Sequence, residues 1–137
     1  MVDDDEYARL YLTRLLAISG FCSIAAADGE EALDLLAKRE PFLAVLDIDL
    51  PGMSGPELGW RIKSDMPETH IIAVSGDYGN WEADDLVDLG FERLFRKPLH
   101  HDDFLRYCRE VRRREMSSTH DGSSAPYRSC EPLRPPG

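Results

Sequence analysis

No apolar run in this 137-residue chain approaches the ~18 residues that cross a bilayer, and no basic-then-apolar leader opens it. Both absences predict a cytoplasmic protein. Cysteine is scarce. Cys22, Cys108 and Cys130 make an odd number with no metal-site spacing, so reduced thiols are the expectation. Positive charge is in deficit too: 16 Lys and Arg stand against 26 Asp and Glu, a net charge of -10. That balance excludes binding nucleic acid through a broad cationic surface, and it is compatible with an acidic, cation-binding cleft. What remains is globular in character, 42% hydrophobic and 31% charged, at a length that suits one domain with one substantial core.

Apolar periodicity places the elements. Ala8, Tyr11, Leu12, Leu15 and Leu16 form a helical stripe over 6–19, with Gly20 suited to its carboxyl cap. Residues 21–26 (FCSIAA) read as a short strand. Asp28 is an N-cap, with Glu31 three residues on, for a helix that Pro41 stops. Residues 42–47 (FLAVLD) form a continuous apolar run ending in a charge, as in a parallel strand buried on both faces. A helix over 55–66, weakened by Gly59, precedes a second buried strand at 70–76. An acidic helix over 80–90, a strand ending at Lys97-Pro98 and a closing helix over 100–115 complete the alternation. The pattern predicts an α/β fold, a doubly wound parallel sheet with helices on both faces. Residues 1–115 form the expected domain. Residues 116–137, rich in Ser, Pro and Gly and without periodicity, read as a disordered tail.

Ligands of an open parallel sheet gather beyond the carboxyl ends of its strands. Polar groups fall at four such ends: Asp3-Asp4-Asp5, Asp47 with Asp49, Ser75, and Lys97. Converging carboxylates repel one another unless a cation joins them, and their hard oxygens suit Mg²⁺ better than zinc. The stretch DIDLPG could be a calcium loop, but Pro51 and Leu58 stand where that loop wants acids. It could carry a phosphatase nucleophile, although Pro51-Gly52 replace the hydroxyl donor wanted after the second Asp. Or Asp47 could itself be phosphorylated. The acidic run also suits a helix N-cap with first-turn acids. His100, His101, Asp102 and Asp103 read as a helix start, because adjacent helical residues do not face one centre. Arg112, Arg113 and Arg114 read as a solvated helix end complementing the dipole, and Cys108 and Trp60 as packing residues.

Five motifs in order, VDDDEYAR, DGEEALDLL, VLDIDLPGMSG, IIAVSG and LFRKP, make residues 2 to about 114 resemble the receiver domain of two-component response regulators. The resemblance implies the flavodoxin-like fold, five strands in the order 2-1-3-4-5. It implies Asp47 as phosphoacceptor and Asp47, Ser75 and Lys97 as the catalytic set, with Ser75 bonding a phosphoryl oxygen and Lys97 pairing with the phosphate. Mg²⁺ is implied as cofactor, with Asp4 and Asp47 as side-chain ligands, Asp49 as a carbonyl ligand and Asp3 acting through water. Asp5 receives no ligand role, and Asp49 and Asp77 are expected to tune hydrolysis. The Lys97-Pro98 bond is expected to be cis. Leu94 stands where the family usually has Tyr or Phe, so the switch pair would be Ser75 with Leu94, and Phe95 should face the other way.

Only Met1 and Val2 precede the acidic run, so the first strand should be very short or continue upstream. The implied function is a stand-alone receiver that accepts phosphate from a histidine kinase or phosphotransfer protein. It would then switch a surface toward a downstream protein target, with no direct nucleic-acid or membrane role. It would be no enzyme beyond its own phosphorylation and dephosphorylation. An aspartyl-phosphate phosphohydrolase and an inactive receiver-like interaction module are the alternatives.

Overall fold

The computed structural model describes residues 1–76 and 82–118; Asp77, Cys130 and the expected tail beyond Ser118 lie outside the described residues. Eight elements follow in chain order: α1 (Glu6–Ile18), α2 (Gly29–Leu36), β1 (Leu43–Asp47), α3 (Gly55–Asp65), β2 (His70–Ser75), α4 (Ala83–Val87), β3 (Phe91–Arg96) and α5 (His101–Ser118). The strands are parallel in the order β1-β2-β3. Val2 bridges in parallel to Leu46 on one side and to Ala26 on the other. The lanes of the sheet therefore run Ala26, Val2, β1, β2, β3, which is the 2-1-3-4-5 order.

The five full strands expected are corrected to three among the described residues, with two lanes reduced to single bridges. The cause is local. A strand at 21–26 needs a neighbour, and the lane beside it holds only Met1 and Val2 before Asp5 caps α1.

Strand alternation divides the interior in two. Ala44, Leu46, Ile71, Ala73 and Phe91 pack with Ala32, Leu58, Ile62 and Leu86 under α2, α3 and α4. Val45, Ile72, Val74 and Phe95 pack with Leu12, Leu16, Phe104, Cys108 and Val111 under α1 and α5. That is a doubly wound sheet, in agreement with the expectation. A register shift opposite Ile71 and Ile72 resets β3, so that Leu94 packs on the α2–α4 side while Phe95 lies in the α1/α5 core. Phe95 meets Phe104 and Tyr107 edge-on, with ring centroids 5.6 and 5.7 Å apart.

Several local readings change. Gly59 looked like a weak point in α3, yet a Cβ there would stand 2.4 Å from the Phe91 ring, so the glycine is what lets α3 reach the sheet. Trp60 is 57% exposed and is not a packing residue. Cys108 is buried and free, as expected, whereas Cys22 is disulfide-bonded, against the expectation of reduced thiols. Helix α5 continues past Glu115 to Ser118, so the three arginines do not form its end. Arg112 lies over the Phe21 ring at 4.1 Å and donates to the Gly20 carbonyl.

Candidate functional site

Parallel pairing brings every strand's carboxyl end to one edge. Asp47 stands opposite Val74, and Ser75 opposite Arg96, so Asp47, Ser75 and Lys97 emerge together. The Asp47 amide donates to the Val2 carbonyl at 2.9 Å, which sets Asp3 beside it. Asp3 is fully buried, Asp47 is 4% exposed, Ser75 is buried, and Asp4 is exposed. Buried carboxylates survive only with partners. Lys97 supplies them: its Nζ donates to Asp3 Oδ2 at 3.0 Å and to Asp47 Oδ2 at 3.1 Å. The Lys97 amide donates to the Ser75 carbonyl at 2.8 Å, fixing where the side chain starts, and the Lys97-Pro98 peptide is cis.

Each acid of the first run has a distinct place. Asp3 Oδ1 accepts from the Asp5 amide at 2.9 Å, and the Asp3 carbonyl accepts from Arg9 at 2.7 Å. Asp5 is the N-cap of α1, accepting from the Tyr7 amide at 3.0 Å, so the capping reading of the run holds for this residue. Asp3, Asp4 and Asp47 offer carboxylate oxygens within 4.8 Å of one another. Asp49 is exposed and its carboxylate stands outside that group; its amide donates to Asp47 Oδ1 at 3.1 Å. Leu94, two strand positions before Arg96, is half-buried against the core under α2–α4. Asp77 lies outside the described residues.

The electrostatics follow from this packing. Burial holds the Asp47 carboxyl above its ordinary range and the Asp3 charge adds to that, while the Asp49 amide and Lys97 act in the other direction. Burial alone would lower the Lys97 ammonium, but its bonds to Asp3 and Asp47 and their charges raise it above 10.5. Lysine thus stays charged, and one Asp47 oxygen is held by Lys97 while the other is held by a backbone amide.

Two supports were missed in the sequence. Arg9 clamps the backbone under Asp3, and its only signal was a cation one turn into α1. Gly55 approaches so closely that a Cβ would lie 2.2 Å from the Asp47 carbonyl oxygen, with its amide bonded to the Ile48 carbonyl at 3.0 Å. The repeated glycines of PGMSG were a readable hint of that contact.

The donor set fits a hard divalent cation. Three carboxylates from two chain segments present only oxygen, and neither His nor Cys joins them.

The response regulator receiver domain family matches residues 1–109. The response regulator MprA of Mycolicibacterium vanbaalenii is 31% identical over 125 residues, covering 91% of this chain and 54% of that protein. The autoinducer 1 sensor kinase/phosphatase LuxN of Vibrio campbellii is 34% identical over 94 residues, 69% of this chain and 11% of that protein. The chain thus spans about half the length of MprA, and a far smaller share of LuxN. Among solved structures, the receiver domain of NtrX from Brucella abortus superposes with a TM-score of 0.75 at 30% identity, covering 80% of this chain and 93% of that one. A CheY-like receiver domain protein from Methanospirillum hungatei gives 0.77 at 28% identity, covering 85% and 94%. With a parallel sheet that carries three aspartates and a lysine at one edge, and with these relatives, the chain belongs to the receiver domains of two-component response regulators.

Proposed function

We propose that Asp47 accepts a phosphoryl group from a histidine kinase or a histidine phosphotransfer protein, and that this segment works as a stand-alone switch of a protein-binding surface. The observation carrying this reading is the setting of Asp47. Its carboxylate lies at the tip of a buried strand, with Lys97 on one oxygen and the Asp49 amide on the other.

In the transfer, an Asp47 oxygen forms the new O–P bond while the donor's P–N bond breaks, and that electron pair goes to the imidazole nitrogen. Lys97, already charged, is positioned to pair with the incoming phosphate once Asp47 is esterified. Ser75 stands at the neighbouring strand end as a hydroxyl for a phosphoryl oxygen, and with Leu94 it forms the proposed switch. Asp4 and Asp47 would hold Mg²⁺ by their side chains, Asp49 by its carbonyl and Asp3 through water. When bound, the metal supplies positive charge next to the transferring oxygens. The proposed chemistry is self-phosphorylation and its reversal only. Relatives such as MprA are about twice this length, so the output of the whole protein belongs to the proposal as well.

Intact mass after treatment with acetyl phosphate and Mg²⁺ tests the reading. One phosphoryl group on the chain is expected, and none on Asp47→Asn. Labelling that persists in the variant refutes Asp47 as the acceptor. Steady turnover of small phosphate esters assigns the site to a phosphohydrolase instead.

A further inference from the structure

The second lane of the sheet stops short. In β1, the even-numbered residues face β2, since His70 N–H donates to the Phe42 carbonyl and Ile48 N–H to the Val74 carbonyl. The odd-numbered residues face the lane of Val2. There, Val45 C=O accepts from Val2 at 2.8 Å and Asp47 N–H donates to Val2 at 2.9 Å. Beyond Val2 the pattern leaves the Val45 N–H and the Leu43 C=O pointing into the lane, and among the described residues neither has a partner across it. The far wall repeats the pattern. Ala26 N–H donates to the Met1 carbonyl, while the Ile24 N–H, one step further on, faces the same gap.

Between these walls lies a cavity of about 110 Å³. Leu16, Phe21 and Cys108 line it from the α1/α5 side, and Ala32, Leu36 and Ile62 from the α2/α3 side. The volume would hold several waters, but an apolar lining gives them no partners. At its mouth the Met1 amino group donates to the Ile24 carbonyl at 3.0 Å, and burial lowers that ammonium to about 6. A peptide N–H in that position would make the same bond without burying a charge.

We propose that this lane is a β-strand acceptor: it takes an apolar strand of about three residues, parallel to β1 and continuous with the amino end of Met1. The register is determined by Val2 opposite Leu46. The first added residue stands opposite Ala44, the second opposite Leu43 and the third opposite Phe42. The first gives its carbonyl to Val45 N–H and its amide to Leu43 C=O; the second gives its carbonyl to Ile24 N–H. Val2 belongs to the core under α2–α4 and Met1 packs on the core under α1 and α5, so successive side chains enter alternate cores. Both must be apolar, as in any parallel strand covered on its two faces.

Two extensions of equal length ahead of Met1 test this, Ile-Val-Leu and Ser-Lys-Asp. Each turns the ammonium into an amide, so only filling the lane distinguishes them. The apolar extension is expected to raise Tm by about 10 °C over the polar one, and to slow hydrogen exchange at the Val45 and Ile24 amides about tenfold or more. Equal Tm values, or unchanged exchange at those two amides, overturn the proposal. Protection that grows with protein concentration alongside a dimer in sedimentation assigns the lane to a second copy, and overturns it also. Ala32→Val gives an independent check from the wall. It is expected to raise Tm of the original chain and lower that of the Ile-Val-Leu chain, whereas a shift of the same sign in both refutes a shared lane.

Discussion

Replacing Lys97 by Met removes one ammonium from two buried carboxylates and keeps most of the apolar stem. The side chain is 31% exposed, while Asp3 is fully buried and Asp47 nearly so, with Nζ contacts of 3.0 and 3.1 Å. Removing one partner of a buried pair costs about 3–5 kcal/mol. Partial exposure of the lysine brings the expectation down to about 2–3 kcal/mol at pH 7.5 without divalent metal. The pH dependence has a definite sign. The Lys97 pKa is raised above 10.5, so its contribution is complete throughout the neutral and acid range and fades only as pH rises through that raised value. The Asp47 carboxyl is held above its ordinary value, so taking up a proton favours the folded state as pH falls through its folded pKa. Loss of Lys97 removes two of the influences that hold Asp47 down, which pushes it further up. The deficit should therefore shrink between pH 7.5 and 5. Urea unfolding of both proteins at the two pH values measures it. A deficit under about 0.5 kcal/mol at pH 7.5, or one that does not shrink at pH 5, refutes the account of Lys97 as the counter-charge of this pair.

Lys97→Ala should leave Mg²⁺ binding largely intact while uncoupling phosphorylation from any surface change; an unaltered phospho-dependent spectral shift would count against it. Gly55→Ala should cost about 2–3 kcal/mol and slow labelling of Asp47, because its Cβ meets the Asp47 carbonyl at 2.2 Å. Gly52→Ala meets nothing, and only its φ of +74° is penalised, by about 1 kcal/mol; equal losses in urea titrations would refute the contact. The Cys108 thiol is pushed up to about 12 by burial, so it should resist iodoacetamide at pH 8 until the chain unfolds, as peptide mapping would report. His70 joins Glu92 and Glu115 at 2.8 and 2.7 Å, tying β3 and α5 to the start of β2. His70→Gln should lower stability by about 1–2 kcal/mol, checked by denaturation at pH 6.

The fold class was legible because buried parallel strands write themselves as apolar runs ending in charge, and FLAVLD and HIIAVS do so. The two reduced lanes were not legible from residues 21–26. Whether such a segment pairs depends on how much chain lies beside it, which is a tertiary fact. Gly59 was misjudged for a related reason: propensity counts the cost of glycine in α3 but cannot see the Phe91 ring it accommodates. At the site, residue types at strand ends brought Asp3, Asp47, Ser75 and Lys97 to one edge in advance. Their partners were beyond reach, since the clamp of Arg9 on the Asp3 carbonyl and the bond of the Asp49 amide to Asp47 belong to backbone geometry. Arg112 shows the same limit. A run of three arginines looks like solvated charge until the Phe21 ring beneath one of them is seen.

The double bond of Lys97 also bears on biosynthesis. It joins positions 94 and 50 residues apart in sequence, so the acidic edge is among the most non-local features of the chain. While the chain is still being made, Asp3 and Asp47 leave the ribosome long before their counter-charge exists. Until Lys97 arrives, two carboxylates that must be buried together have no ammonium between them, and the sheet edge cannot close. The pocket that receives phosphate is thus completed only when the last strand has docked. Competence to take up the signal then reports that the domain has been synthesised and folded to its end.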